Sequence, residues 1–403
     1  MEEIELSILM PCLNEAETLE ACIQKALSFL RRSTIDGEII VADNGSTDGS
    51  DGIALRAGVR LVKIAHTGYG SAIRGGIAAA RGRFVIIGDA DGSYDFSSLD
   101  GFMSALRGGA DLVLGNRFRG GIAPGAMPIH HKYFGNPALS GLGNLFFRSK
   151  AKDFHCGLRG FRKAAIVSLE LDTTGFEFSS EMIVKASLHG LEIEEVPTTL
   201  VPDGRGRRPH LRSWHDGWRN LRFLLLYSPR WLFFYPGLTL ITIGLISMLL
   251  FLPGPVRVGN AILETNSLLY SGVSVLLGLQ FVIFSVFTKI FGINAGLLPE
   301  DPRLDRLLAV FTLERGLICA ASLLILGLLG TGYALNMWRA ASFGPLDAVL
   351  VGRVTVPSVT ALACGLQIGL SSFFVSILQI GRVSAKRFRR RRSSSGDPDR
   401  QRT

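Results

Sequence analysis

Four apolar runs in the second half of the chain limit most strongly how it can fold. They extend over about Trp231 to Leu252, Leu268 to Phe291, Leu317 to Trp338 and Val356 to Ile380. Each is long enough, at about 20 residues, to cross a bilayer as a helix. Residues 231–382 are therefore predicted to form a transmembrane domain of four helices, whereas residues 1–230 have the composition of an ordinary globular protein.

The basic residues between and after these runs predict their orientation. The connection between the second and third runs carries three arginines, and the end of the chain is strongly basic from Lys386 to Arg392. Lys and Arg concentrate on the cytoplasmic side of membrane proteins. With an even number of spans, we expect the N-terminal domain and the tail, residues 383–403, on the cytoplasmic face of the cell (inner) membrane, with the tail disordered.

A helix at the membrane surface is predicted for residues 210–230. Trp214, Trp218, Leu221 and Leu225 fall on one helical face and arginines on the others, a pattern typical of an interfacial helix. Next to apolar spans, a basic cluster favours anionic lipid over nucleic acid as its partner. We therefore expect a lipid bilayer and no nucleic acid among the partners; a homo-oligomer is compatible with the sequence.

Strand-like and helix-like segments alternate through residues 1–209. Strands are predicted over about Glu5 to Met10, Glu38 to Ala42, Val59 to Ile64, Phe84 to Ile87, Asp111 to Leu114 and Glu194 to Val201. Alternation of this kind predicts an α/β domain with a mostly parallel, helix-covered sheet. Polar side chains follow four of these strands, and ligands bind at the carboxyl ends of such strands. The sequence thus predicts a nucleotide-type site there, formed by Asn14 and Glu15, Asp43, Asp89 and Asp91, and Arg117.

Asp89 and Asp91 are predicted to bind a metal ion. They lie two residues apart where a strand ends, and Gly88 and Gly92 flank them. Two neighbouring carboxylates repel each other unless a cation lies between them, and hard oxygen ligands suit Mg²⁺ or Mn²⁺ carrying a phosphate-bearing substrate. Taken alone, an Asp-x-Asp sequence is also typical of a solvated turn.

Several motifs together resemble those of family 2 glycosyltransferases with the GT-A fold. They are Pro11-x-x-Asn14-Glu15, the segment from Asp43 to Gly49, Gly68-x-Gly70, and Asp89-Ala90-Asp91-Gly92. The resemblance extends over about residues 4 to 210 and is closer to the polyprenyl-phosphate (dolichyl-phosphate) hexose synthases. It implies that the nucleotide sugar binds at Pro11, Asn14, Glu15, Asp43, Gly70, Asp89 and Ala90, and that Asp89 and Asp91 hold Mg²⁺ or Mn²⁺ on its diphosphate.

The same resemblance implies roles for residues later in the domain. Arg117 and Arg159 correspond to arginines of the family, and Asp153 and Glu181 to acidic residues. Asp91, Arg117, Asp153, Arg159 and Glu181 are thus expected at the reaction centre. The alternatives are a surface role for Arg117 and helix capping or dipole interaction for Glu181. Neighbouring side chains of an extended segment point in opposite directions, so a Cys156–His155 nucleophile pair is not expected.

An arginine-rich loop precedes the membrane part. Residues 203–213 contain four arginines and a histidine, and they match in place a mobile basic loop of the family. We expect the acceptor's phosphate to bind Arg117, Arg159, Arg207, Arg208 and Arg212, since guanidinium groups match phosphate oxygens. The alternative is a solvated basic loop.

These features predict a metal-dependent hexosyltransferase that moves a sugar from a nucleotide sugar to a polyprenyl phosphate. The resemblance alone implies that the transfer inverts the anomeric carbon. Ser93 stands where dolichyl-phosphate mannose synthases carry Gln, so UDP-glucose is the first expectation for the donor. There are three alternatives. A processive polysaccharide synthase would carry Gln-x-x-Arg-Trp, which this sequence lacks. A transferase acting on diacylglycerol is the enzymatic alternative, and a non-catalytic membrane scaffold predicts loss of the acidic positions, all of which are intact.

Overall fold

A computed structural model describes residues 4–206 and 213–394 of the chain. The chain forms two compact units, divided between Leu226 and Tyr227. We refer to them as the N-terminal unit and the C-terminal unit. Three of the arginines predicted to bind the acceptor's phosphate, Arg207, Arg208 and Arg212, lie outside the described residues.

The N-terminal unit is built on a seven-stranded sheet in the order β3-β2-β1-β4-β6-β5-β7. Four of its six strand pairs are parallel, and both pairs that involve β6 are antiparallel. The strands are β1 (Leu6–Cys12), β2 (Gly37–Asp43), β3 (Arg60–Lys63), β4 (Phe84–Ile87), β5 (Leu112–Asn116), β6 (Arg159–Arg162) and β7 (Ile193–Pro197). This mostly parallel sheet confirms the predicted α/β class.

Two strands differ from the sequence prediction. The segment that forms β6 was expected to be extended but was not identified as a strand; it lies between β4 and β5 and pairs with both. The last strand was predicted to reach Val201 but ends at Pro197. Proline has no backbone N–H to donate, so it commonly ends a ladder.

Helices cover both faces of the sheet, and its central strands are therefore apolar throughout. Every residue of β1 and β4 is buried, as expected for parallel strands that are covered on both sides. The core includes Ile8, Val41, Ile86 and Val113. The helices of this unit are α1 (Leu19–Ser33), α2 (Ser50–Arg56), α3 (Tyr69–Ala79), α4 (Asp100–Gly108), α5 (Arg117–Gly120), α6 (Asn136–Phe147, after a π-helical turn), α7 (Lys163–Val167), α8 (Phe178–Leu188) and α9 (Ser213–Leu226).

Helix α9 corresponds to the predicted interfacial helix. Its Trp214 side chain is 91% exposed and Trp218 is 59% exposed, whereas Phe223 and Leu224 are buried. Asn220 accepts a hydrogen bond of 2.7 Å from Ser180, and Arg219 forms an ion pair of 2.6 Å with Glu177. These two contacts attach α9 to α8.

The C-terminal unit consists mainly of long apolar helices. They are α10 (Tyr235–Phe251), α11 (Thr265–Asn294), α12 (Pro302–Val310), α13 (Leu313–Ala340) and α14 (Ala348–Ser394), with β8 (Val256–Val258) and β9 (Ala261–Leu263) forming a hairpin between α10 and α11. Across the described ranges, four helices are long and apolar enough to span a membrane. The predicted number of spans is thus confirmed. The sequence prediction missed the hairpin and α12, and α14 continues past the predicted boundary at residue 382.

Glycines let the helices of this unit approach closely. A Cβ atom added at Gly278 would lie 2.6 Å from the carbonyl oxygen of Gly237, and one added at Gly237 would lie 2.8 Å from that of Gly278. The contact is therefore reciprocal between α10 and α11. On α13, a Cβ atom at Gly327 would lie 2.7 Å from the carbonyl oxygen of Ser358. Small residues at such crossings are typical of packing between membrane helices.

Candidate active site

Polar residues that are far apart in sequence meet at one edge of the sheet in the N-terminal unit. Strands β1, β2, β4 and β5 share one direction, so their carboxyl ends lie at the same edge. Asn14 and Glu15 follow β1, and Asp43 ends β2. Asp89 and Asp91 follow β4, and Arg117 follows β5. The structure thus places these predicted residues at the edge where the alternation of strands and helices predicted a site.

The turns after β1 and β2 hold each other by hydrogen bonds. Asn14 adopts a left-handed backbone conformation, with φ of 59°. Its side-chain oxygen accepts a hydrogen bond from the backbone N–H of Thr47 at 2.7 Å. Its backbone N–H donates to the hydroxyl of Ser46 at 2.9 Å. Asp43 is buried and accepts from the Ser46 amide at 3.0 Å. Pro11, predicted with them, is buried in β1 opposite Ala42.

Each residue of the Asp89-Ala90-Asp91 segment is fixed by a different partner. Asp89 accepts a hydrogen bond from the Tyr69 hydroxyl at 3.0 Å, and Asp91 accepts from the Ser93 hydroxyl at 2.6 Å. The carbonyl of Ala90 accepts from Thr18 at 2.7 Å. Tyr69 and Thr18 were not among the predicted site residues. Tyr69 lies inside the Gly68-x-Gly70 motif, which was a signal for it, whereas nothing in the local sequence connects Thr18 to Ala90.

Two glycines make room around this segment. Gly157 lies against Asp89, and a Cβ atom there would be 2.3 Å from its Oδ2. Gly70, predicted to bind the nucleotide sugar, begins α3 beside Tyr69, where a Cβ atom would be 2.4 Å from the carbonyl oxygen of Thr173. The structure therefore gives Gly70 a packing role next to the residue that holds Asp89.

The carboxyl group of Asp89 is strongly perturbed. Burial and the nearby charge of Asp91 raise its pKa to about 7. Adjacent carboxylates of this kind, of which Asp91 is buried and Asp89 half-buried, are stabilised by a cation, and two oxygen donors together with substrate phosphates suit Mg²⁺ or Mn²⁺. No group of three or more His, Cys, Asp or Glu side chains that could hold a metal occurs within residues 4–206 and 213–394. Two carboxylates that leave the other coordination positions to phosphates and water are a ligand set that Mg²⁺ commonly uses.

Arg205 contributes positive charge to this site. Its guanidinium lies 3.0 Å from Oδ2 of Asp91, 3.0 Å from Oε1 of Glu15 and 2.7 Å from Oδ2 of Asp203. The sequence predicted a basic loop here, but the residues selected from it were Arg207, Arg208 and Arg212. The composition of the loop indicated its charge, and it gave no signal for which arginine folds back onto the carboxylates.

Arg117 and Asp153 form a buried, two-pronged ion pair. Nε and Nη2 of Arg117 each lie 2.7 Å from an oxygen of Asp153, and the Arg117 amide donates to Asp153 at 3.1 Å. Although burial raises the pKa of Asp153, the hydrogen bonds and charge of Arg117 lower it below the ordinary value. The structure brings these two predicted residues together, and the carboxylate uses two of the five N–H donors of the Arg117 guanidinium.

Arg159 lies at the same edge but inside the protein. Its side chain is among the largest that are fully buried, with the residue 1% exposed. Its guanidinium donates to the carbonyl oxygens of Cys156, Ser179 and Phe154 at 2.6 to 2.8 Å. In this structure Arg159 connects the segment before β6 to helix α8, and its guanidinium is not open to a phosphate from solvent.

Cys156 and His155 are not poised for nucleophilic catalysis. Burial raises the pKa of the Cys156 thiol to about 11 and lowers that of His155 to about 4. At neutral pH the thiol is therefore protonated and the imidazole is uncharged. This agrees with the expectation that the two do not act as a pair.

Glu181 is fully buried on α8 and holds a neighbouring loop. Its carboxylate accepts from the amides of Asp172 and Thr173 at 3.1 and 2.9 Å, and it pairs with Lys185 at 2.8 Å. Burial raises its pKa, but the hydrogen bonds from Lys185 and Thr173 outweigh this effect and lower it.

The loop that Glu181 holds leads to the Asp89-Ala90-Asp91 segment. The carbonyl of Thr174 accepts from the amide of Gly70 at 2.9 Å, and Phe176 stacks on Tyr69 with ring centroids 5.0 Å apart. Tyr69 in turn donates to Asp89. Glu181 thus reaches the predicted site indirectly, through the segment that positions Tyr69.

Comparison with known proteins gives matches to both units. The sequence profile described as "Glycosyl transferase family 2" matches residues 7–169, and that of the "Glycosyltransferase family 2 C-terminal transmembrane region" matches residues 286–379. The low-salt glycan biosynthesis hexosyltransferase Agl6 of Haloferax volcanii is 34% identical over 374 residues, which cover 93% of this chain and 89% of that protein.

Two further similarities each cover about half of this chain. The dolichyl-phosphate beta-glucosyltransferase of Saccharomyces cerevisiae is 29% identical over 225 residues, covering 49% of this chain and 66% of the yeast protein. Among solved structures, glucosyl-3-phosphoglycerate synthase from Mycobacterium tuberculosis, in complex with Mn²⁺ and UDP-glucose, matches with 21% identity and a TM-score of 0.45. That match covers 56% of this chain and 78% of the other.

Proposed function

Because this chain belongs to glycosyltransferase family 2, we propose that it transfers a hexose from a nucleotide sugar to a polyprenyl phosphate at the cytoplasmic face of the membrane. The observation that carries this proposal is the similarity to a hexosyltransferase over 93% of the chain, membrane helices included. The yeast relative acts, by its name, on dolichyl phosphate, and four membrane-spanning helices would keep a lipid acceptor close to the enzyme.

In the proposed reaction, the donor's diphosphate binds at the carboxyl edge of the sheet. Asp89 and Asp91 would hold Mg²⁺ or Mn²⁺ there, and such an ion neutralises charge that develops on a leaving diphosphate. Asn14, Glu15 and Asp43 lie at the same edge and would contact the nucleoside. Tyr69 and Ser93 keep the two carboxylates in place by their hydrogen bonds.

The acceptor needs positive charge rather than a strong base. A phosphate monoester has a second pKa near about 6, so it is largely ionised at neutral pH and can attack the anomeric carbon directly. Direct attack inverts that carbon. Arg117 and Asp153 would orient groups beside the sugar, and arginines of the loop that follows Arg205 would bind the acceptor's phosphate.

UDP-glucose is our proposed donor. The hydroxyl of Ser93 is directed to Asp91 at 2.6 Å, so the position that carries Gln in mannose-transferring members here supports a carboxylate. The proposed orientation, with the N-terminal unit and the tail in the cytoplasm, is supported by Arg303, Arg306 and Arg315, which are exposed around α12 between two membrane helices.

The test is a transfer assay with the purified full-length protein in detergent, Mg²⁺ and undecaprenyl phosphate. Radiolabelled UDP-glucose, GDP-mannose and UDP-N-acetylglucosamine would be offered separately. We expect label from UDP-glucose in a lipid fraction that mild acid releases. Asp91→Ala should abolish this transfer while membrane insertion stays intact, whereas Asp100→Ala, at an exposed carboxylate that pairs with Arg32, should retain it.

The other outcomes are equally informative. Transfer only to diacylglycerol would replace the acceptor class, and transfer from another donor would replace the sugar. Nucleotide binding without transfer to any lipid would contradict the proposed reaction. Absence of nucleotide binding would favour a membrane scaffold.

A further inference from the structure

The Arg205 side chain joins carboxylates from three separate parts of the chain. Glu15 follows β1, Asp91 follows β4, and Asp203 belongs to the same loop as Arg205. Asp203 receives two hydrogen bonds from it, from Nε at 3.2 Å and from Nη2 at 2.7 Å. Only 11% of the Arg205 side chain is exposed. A largely enclosed guanidinium with three carboxylate partners is a built ion-pair network and not a chance surface contact.

The backbone around Arg205 is attached by hydrogen bonds to residues 91–93, which include the proposed metal ligand Asp91. The amide of Val201 donates to the carbonyl of Ser93 at 3.1 Å, and that of Gly204 donates to the carbonyl of Asp91 at 2.9 Å. The amide of Gly206 donates to the Glu17 side chain at 2.8 Å. Residues 201–206 therefore run beside residues 91–93, and this brings Arg205 to the carboxylates.

Asp91 has two oxygens, and both have partners. Oδ1 accepts from the amide and the hydroxyl of Ser93, and Oδ2 accepts from Arg205. A divalent cation binding to Asp91 would need one of these oxygens. The Ser93 contacts belong to the same turn and can persist, whereas a guanidinium and a metal ion cannot share one carboxylate oxygen without strong repulsion.

We propose that Arg205 is a built-in competitor of the divalent cation for Asp91, so that metal binding displaces its guanidinium from the carboxylate pair. Resting on the proposed function, this assigns Arg205 a positioning role: it keeps Glu15 and Asp91 together before the metal–nucleotide complex binds. Displacement then breaks the ion pair that holds residues 201–206 against Asp91. Metal binding is thereby coupled to a change in the position of residues 201–206.

The coupling predicts that the affinity for a divalent cation rises, rather than falls, when Arg205 is replaced by an uncharged residue. When a group of the protein occupies the ligand's site, the apparent affinity for the ligand falls in proportion to the fraction of molecules in which the site is free. Arg205→Gln should therefore bind Mn²⁺ about tenfold more tightly than the natural chain. Arg205→Lys keeps the charge but cannot reach several carboxylates through a planar fork, so its affinity should lie between the two.

The experiment is a titration of the full-length protein in detergent with Mn²⁺ alone, in which free Mn²⁺ is followed by electron paramagnetic resonance. Asp203→Asn provides a second variant, since it removes the partner that orients Arg205 without changing Arg205 itself. We expect it to shift the Mn²⁺ affinity in the same direction. Arg32→Gln is the matched control, because that arginine pairs with an exposed carboxylate away from the site. Thermal unfolding of each variant establishes that it is folded.

Equal or weaker Mn²⁺ binding by folded Arg205→Gln and Asp203→Asn would overturn the competition. Because the titration contains neither nucleotide nor lipid, its result is separate from the transfer assay. Tighter Mn²⁺ binding without any sugar transfer would support the competition and reject the proposed reaction. Sugar transfer by the natural chain, with unchanged Mn²⁺ binding in the variants, would support the proposed reaction and reject the competition.

Discussion

Replacing Glu181 with glutamine should separate a structural role of this residue from a catalytic one. Glu181 and Lys185 form an ion pair in which both side chains are at most 3% exposed. The substitution leaves the Lys185 charge buried without its counter-ion. Breaking a buried pair on one side costs about 3–5 kcal/mol. For a unit of this size, each kcal/mol lowers the unfolding midpoint by about 2–4 °C, so we expect a decrease of about 6–20 °C.

A double variant, Glu181→Gln with Lys185→Met, should recover most of this loss. It removes the stranded charge, and the introduced glutamine side chain still offers an oxygen to the amides of Asp172 and Thr173. The remaining cost is one hydrogen bond from Lys185 to the carbonyl of Glu170, or about 1–2 kcal/mol. If Glu181 acts by holding its loop, the double variant should retain activity within about tenfold of the natural chain. Loss of a catalytic acid or base would cost about 10²–10⁴-fold.

Thermal unfolding can be followed with a thiol-reactive dye. Cys12, Cys22 and Cys156 are buried in the N-terminal unit, so in a background with Cys319→Ser and Cys364→Ser the dye reports on that unit alone. The folded-state pKa of Glu181 is lowered, so its stabilisation is present above the pKa of an unfolded glutamate, about 4.3, and is lost as the pH falls below that value. The difference between the natural chain and Glu181→Gln should therefore narrow in acid. An unchanged midpoint at pH 7 would refute this reasoning.

Three other substitutions test the packing of the site and of the membrane helices. Gly157→Ala places a Cβ atom 2.3 Å from Oδ2 of Asp89 and should lower turnover by about 100-fold. Gly108→Ala is the control, because open space surrounds that glycine and turnover should not change. Near-normal turnover of Gly157→Ala would contradict the close contact with Asp89. Tyr69→Phe removes the hydrogen bond to Asp89 but keeps the ring on Phe176, so kcat/KM should fall about 10- to 100-fold with little change in the unfolding midpoint; an unchanged kcat/KM would exclude a positioning role. Gly278→Ala should destabilise the C-terminal unit by about 1–3 kcal/mol in detergent. Gly332→Ala is the control, because a Cβ atom there meets nothing within 4 Å. Equal thermal unfolding midpoints of the two variants would argue against the close crossing of α10 and α11.

Features governed by local sequence patterns could be predicted. Apolar length alone gave the number of membrane helices, because about 20 apolar residues are what a bilayer requires. The alternation of strands and helices placed Asp43, Asp89 and Asp91 at one edge, since parallel strands must present their carboxyl ends together. These predictions depend on rules that act over a few residues or on a constraint common to all parallel sheets.

Features governed by long-range pairing could not be predicted. Strand β6 has four residues, Arg159–Arg162, and forms because β4 and β5 leave room for an antiparallel strand between them. Arg159 is of a residue type that often binds phosphate, yet its guanidinium is enclosed by three backbone carbonyl groups. Arg205 was passed over for its neighbours because its partners Asp91 and Glu15 are 114 and 190 residues away.

These sequence separations also determine when the site can form during synthesis. Asp89 and Asp91 leave the ribosome early, but Arg205 and the amides of Val201 and Gly204 follow only after more than a hundred further residues. Contacts this distant in sequence form late in folding. Until then the carboxylates lack their positive partner, and the backbone of residues 91–93 lacks the hydrogen bonds from residues 201–206. A ribosome paused before residue 201 therefore carries an unfinished candidate site, which is completed shortly before the first long apolar helix, α10, is made.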